Sequence, residues 1–173
     1  VLRGVGWSRQ KIQKTMNRSL EPVSFIINDQ VLDANIDLEL VKTRCANVIG
    51  EIKSGNRKYR DEYVVLGAHF DHVGEGGVGS GSRKPDLLQI HPGADDNASG
   101  TSGLLEIAQK LAANKSRLKR SILLIGFDAE EKGLLGSKYF MSNPTVDPNN
   151  IITMINMDMI GRMKDSSATV GGV

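Results

Sequence analysis

Residues 121–137 read SILLIGFDAEEKGLLGS. After Ser121 the next six, 122–127, are apolar without alternation, the signature of a strand buried on both faces of an α/β sheet. Asp128, Glu130 and Glu131 follow at its C-terminal end, and a helix is predicted over 134–141. The same order recurs on either side. YVVLGA (63–68) is a second apolar run, followed by His69-Phe70-Asp71, and IITMINM (151–157) is a third, followed by Asp158. Between the first two lie a Gly-rich loop at 74–81 and a helix predicted over 99–113. Its buried face is expected to carry Leu104, Leu105, Ile107, Ala108, Leu111 and Ala112. Buried strands alternating with helices predict the α/β class.

The N-terminal part reads differently. Ser8 is placed to cap a helix over 9–18, with Ile12, Met16 and Leu20 on one face and Pro22 ending it. Val23–Ile27 and the alternating run Ile36–Val41 are expected strands around an Asn28-Asp29 turn, and Val48–Ile52 is a third. Together they predict an antiparallel lead-in to the parallel strands, closed by the turn Lys53-Ser54-Gly55-Asn56.

Composition limits the alternatives. A chain of 173 residues, 39% hydrophobic and 24% charged, is globular and holds one domain, with room for part of another. Lys and Arg number 22 against 20 acidic residues, so no excess of positive field marks a nucleic-acid partner. Cys45 is the only cysteine and cannot form an internal disulfide. The apolar runs fall well short of the ~18 residues of a membrane span.

The polar residues that end the strands matter most. In open α/β sheets the ligand crevice lies outside the carboxyl ends of the strands, so these groups should converge there, joined by Asp95-Asp96-Asn97 from the loop before the helix at Ser99. His69 and Asp71 are two apart and share a face of an extended chain. Asp71 can therefore accept a hydrogen bond from one nitrogen of His69 and leave the other for a metal, which makes Asp71 an orienter. Glu130 and Glu131 are adjacent and diverge, so one can bind a metal while the other takes a proton from water.

Two local patterns imitate other sites. Gly74, Gly76 and Gly79 have dinucleotide-loop spacing, but Gly81 and Pro85 stand where the helix should begin. Asp95, Asn97, Ser99, Gly100 and Glu106 have calcium-loop spacing, but Pro85, Pro92 and Gly93 deny it a preceding helix. His72 and His91 read as ordinary loop histidines.

GAHFDHVG (67–74), GADDNASG (93–100), DAEEKGLLGS (128–137) and NMDMIG (156–161) resemble, in order, four signatures of the two-zinc aminopeptidase family of metallopeptidases. Bacterial leucyl aminopeptidase and glutamate carboxypeptidase are among its relatives. The fold implied is a three-layer open mixed sheet with helices on both faces. The site implied has His69 and Asp158 on one zinc, Glu131 on the other and Asp96 bridging both. Glu130 is the general base and Asp71 the histidine-orienting carboxylate. The resemblance also implies a cis Asp96–Asn97 bond, and cleavage of the first peptide bond of substrates with a free N-terminus by a metal-bound hydroxide.

A carboxypeptidase, a glutaminyl-cyclase-like enzyme and a non-catalytic binding domain of the same fold are the alternatives. The second zinc of the family also takes a histidine well after the Asp158 position, whereas the histidines here are His69, His72 and His91. The expectation is therefore that 23–173 is the N-terminal part of the catalytic domain, one ligand short. Residues 1–22 resemble a segment joining a protease-associated domain, and a secreted or cell-envelope location is expected with it.

Overall fold

Among the described residues four strands form one mixed sheet in the order β1-β3-β2-β4: β1 (Val48–Ile52), β2 (Tyr63–His69), β3 (Ser121–Phe127) and β4 (Ile151–Asn156). The coordinates are a computed structural model and describe residues 6–26, 33–38, 42–163, 167 and 169–172. β2 runs parallel to both β3 and β4, while β1 pairs antiparallel with β3 through Val48↔Gly126 and Ile52↔Ile122. The chain forms two compact units, 1–42 and 43–173.

In the first unit α1 (Arg9–Ser19) starts where the sequence predicts. The Ser8 hydroxyl accepts from Lys11 N at 3.1 Å, which satisfies one of the free N–H groups of the first turn. Trp7 stacks on Phe25 with ring centroids 5.7 Å apart. Residues 23–26 and 33–38 form no strand, and the rest of the two predicted strands there lies outside the described residues. Alternation names the face that pairing would bury but supplies no partner, and among the described residues no ladder forms on it.

In the second unit the sheet carries a helix on each face. Side chains alternate across a strand, so Tyr63, Val65, Leu123, Ile125 and Phe127 point one way and meet Phe140 of α3 (Leu135–Ser142). Phe127 and Phe140 meet edge-on, centroids 6.4 Å apart, worth about 0.5–1.5 kcal/mol beyond their burial. Leu66, Ala68 and Ile122 point the other way and meet Leu104 of α2 (Gly100–Ala113). This is the predicted three-layer arrangement.

Two burial expectations are corrected. Among the described residues β4 is an edge strand held by β2 alone, so Ile152, Met154 and Ile155 are exposed although the run reads as doubly buried. On α2, Leu104 is buried and Leu111 packs against the same cluster, but Leu105 and Ile107 are exposed. The sheet beneath α2 is too narrow to cover the whole apolar stripe.

From β2 the chain passes through α2 to β3 on one side, then through α3 to β4 on the other side of β2. The order therefore reverses between β2 and β4. At such a switch point the connections leave in opposite directions and a crevice opens at the carboxyl ends.

Candidate metal centre

His69 is the last residue of β2 and Asp158 stands two residues past β4, so the switch point brings them together. His69 is buried, and its Nε2 lies 3.3 Å from Asp96 Oδ1 and 3.5 Å from Asp158 Oδ1. On the other side of its ring, Nδ1 lies 3.2 Å from the Asp71 carbonyl oxygen. A proton on Nδ1 donated to that carbonyl leaves the Nε2 lone pair facing the two carboxylates.

Asp71 does more than the sequence predicts, and does it differently. Its carboxylate stands 3.6 Å from His69 Nδ1, too far for the predicted hydrogen bond, and the backbone carbonyl takes that place. The carboxylate instead accepts from Glu130 N at 2.9 Å and Glu131 N at 3.1 Å. Asp71 thus ties the end of β2 to the turn that carries both glutamates after β3.

Asp96 arrives from the 94–99 turn. The Asp96–Asn97 peptide is cis, as the resemblance implies. Asn97 is the residue whose role the sequence reading missed. It is buried, and its Nδ2 donates to His69 O at 3.2 Å and Met157 O at 3.0 Å. Its Oδ1 accepts from Gly100 N and Met159 N, both at 3.1 Å. One side chain therefore fastens the ends of β2 and β4 to the start of α2. Thr101 adds a bond from its hydroxyl to His69 O at 2.9 Å. Gly100 must stay small, since a Cβ there would stand 2.4 Å from Met157 O.

Four of the six predicted residues, with His72, fall in two overlapping sets, and Asp71 and Glu130 belong to neither. One is His69, Asp96 and Asp158. The other is His72, Asp96 and Glu131, and within each set the ligand atoms lie within 4.8 Å of one another. Among the described residues, the buried side-chain atoms without a hydrogen-bond partner are His69 Nε2, His72 Nδ1 and Glu131 Oε1. Each belongs to one of these sets. Native interiors pair such atoms, so a cluster of orphaned lone pairs around a shared carboxylate fits a divalent cation. His72 was read as a loop histidine because its proximity to Glu131 is tertiary and leaves no local pattern.

Glu130 belongs to neither set. It faces a cavity of about 230 Å³ lined also by His69, Leu134, Met154 and Asp158. Burial pushes its carboxyl above the usual carboxylate range. His69 opposes that shift, and the neighbouring Glu131, Asp158 and Asp71 charges reinforce it. On the other side, a cavity of about 530 Å³ is lined by His72, Asp96 and Glu131 together with Arg83, Lys84 and His91.

The model of peptidase family M28 matches residues 47–172. An aminopeptidase of Pseudomonas aeruginosa is 33% identical over 134 residues, covering 77% of this chain and 21% of that protein. The zinc aminopeptidase BSAP of Bacillus subtilis superposes with a TM-score of 0.50 at 33% identity, over 66% of this chain and 24% of that one. The glutaminyl cyclase of Porphyromonas gingivalis superposes with a TM-score of 0.51 at 28% identity, over 66% of this chain and 40% of that one. The chain spans about a fifth of the length of the curated relatives it matches.

Proposed function

The chain belongs to peptidase family M28, and from that premise we propose that the protein is a zinc-dependent exopeptidase, an aminopeptidase acting on peptides with a free N-terminus. The observation that carries the reading is the pair of residue sets sharing Asp96, with orphaned ligand atoms in each. His69, Asp96 and Asp158 would hold one zinc, and Asp96 and Glu131 a second. Zinc bound there supplies a Lewis acid for a peptide carbonyl and acidifies water toward a pKa of about 7.

The remaining chemistry belongs to the protein. Glu130, free of both sets, takes a proton from the attacking water on its carboxylate and returns it to the departing amine. Asp71 holds Glu130 and Glu131 by their backbone N–H groups, so one carboxylate fixes where the proton acceptor and a metal ligand sit. Asn97 keeps the end of β2 against the end of β4, which sets the His69-to-Asp158 approach. This division of labour needs both glutamates and is the reason an adjacent pair suits hydrolysis.

The test is to assay the zinc-loaded full-length protein on matched dipeptides with free and acetylated N-termini. Cleavage confined to the free ones supports the aminopeptidase reading, and cleavage of the acetylated ones at equal rates overturns it. A glutaminyl-cyclase-like reaction is the second reading, supported by the likeness to the Porphyromonas gingivalis protein. Ammonia released from an N-terminal glutamine without chain cleavage would select it.

A further inference from the structure

Asp158 is the most exposed member of its set, and it stands in a turn outside any strand or helix. Met159, the next residue, has φ +51°, a left-handed conformation that a side chain adopts only at a steric cost. The turn that aims Asp158 must therefore be fixed by bonds from outside it. Two side chains supply them, one on either side of Asp96. Asn97 Oδ1 accepts from Met159 N at 3.1 Å, and Asp95 Oδ1 accepts from Gly161 N at 2.9 Å across 66 positions of sequence. Asp95 is itself held, since the Ser99 hydroxyl donates to its carbonyl oxygen at 2.6 Å. Gly161 lets the two segments close: a Cβ there would stand 2.9 Å from Asp95 Oδ1 and 3.0 Å from Ser99 Cβ. The other Asp95 oxygen faces the exposed Arg162, whose Nε lies 3.7 Å away.

We propose that Asp95 is a positioning residue for the metal centre, its bond to Gly161 N holding the turn at 158–161 so that the Asp158 carboxylate faces His69 Nε2. The inference rests on the zinc reading above and divides the roles within Asp95-Asp96-Asn97. The middle carboxylate reaches the metal, and its two neighbours clamp the turn that carries another ligand. Groups that orient a ligand from behind ordinarily contribute roughly 10- to 100-fold to metal affinity.

Cobalt(II) titration of the metal-free full-length protein, followed by visible absorption against a competing chelator, tests this. Asp158→Ala first identifies which of two equivalents depends on Asp158. Asp95→Ala should weaken that same equivalent roughly 10- to 100-fold, alter its visible band and spare the other. Gly161→Ala breaks the contact from the opposite side and should do the same. Asp95→Asn keeps an oxygen for Gly161 N and loses only the charge facing Arg162, so its affinity should stay within about 5-fold, the most that an exposed ion pair ordinarily contributes. Circular dichroism of the metal-free variants confirms folding. Unchanged affinity in folded Asp95→Ala or Gly161→Ala would overturn the positioning role. So would an Asp95→Asn loss as large as that of Asp95→Ala, which would make charge the cause, or equal weakening of both equivalents, which would place the effect on Asp96. Each of these outcomes leaves the zinc reading standing. A folded, unaltered protein that binds neither cobalt nor zinc would overturn the zinc reading, and the inference with it.

Discussion

At the scale of single residues, the roles proposed for Glu130 and Asp71 separate proton transfer from positioning. Glu130→Gln keeps the size of the side chain and its backbone bond to Asp71 but removes the proton acceptor. Turnover of the zinc-loaded full-length enzyme should fall by roughly 10²- to 10⁴-fold with zinc content unchanged. Steady-state kinetics beside metal analysis checks this, and near-normal turnover at full zinc would end the assignment. Asp71→Asn acts through others. An amide offers one acceptor oxygen where the carboxylate meets two N–H groups, so the glutamate turn loosens and metal affinity should drop roughly 10- to 100-fold. Competition with a chelator measures it. The predicted residues were legible because each strand ends in a ligand type, a local pattern. His72 and Asn97 were not, since their partners lie 59 and 60 positions along the chain and are fixed by the sheet's reversal.

The elements were legible where burial is symmetric and misread where it is not. β2 and β3 sit inside the sheet and match their apolar runs. β4 has the same kind of sequence but one neighbour, and sequence periodicity cannot report which strand lies at an edge. The junction of β2, β4 and α2 depends on close approach, which gives a stability prediction. Gly100→Ala places a methyl 2.4 Å from Met157 O and 2.5 Å from Asn97 Oδ1, so it should cost at least about 1–3 kcal/mol by overpacking. Asn97→Ala should cost about as much by leaving buried backbone groups of His69, Met157, Gly100 and Met159 without their partner. Gly55→Ala is the control, with nothing within 4 Å of its Cβ and an expected effect within about 0.5 kcal/mol. Chemical denaturation midpoints compare the three, and equal midpoints for Gly100→Ala and Gly55→Ala would refute the close-packing argument.

At the scale of the whole molecule, the fold gathers Asp71, Asp96, Glu130, Glu131 and Asp158 at one end of one sheet, where their like charges oppose folding in the absence of a cation. A ligand that binds only the folded state stabilises it by mass action, by about 4 kcal/mol at a thousand times its dissociation constant. For a chain of this size that raises the melting temperature by roughly 10 °C. Zinc should therefore raise the melting temperature and EDTA should reverse the gain, followed by scanning calorimetry. The sharing of Asp96 makes the effect specific. Asp158→Ala touches one residue set and should remove part of the shift, whereas Asp96→Ala opens both sets and should remove nearly all of it. A zinc shift undiminished in Asp96→Ala would mean that the metal binds elsewhere, and that the convergence at the β2–β4 reversal is an acidic cluster without a cation to hold.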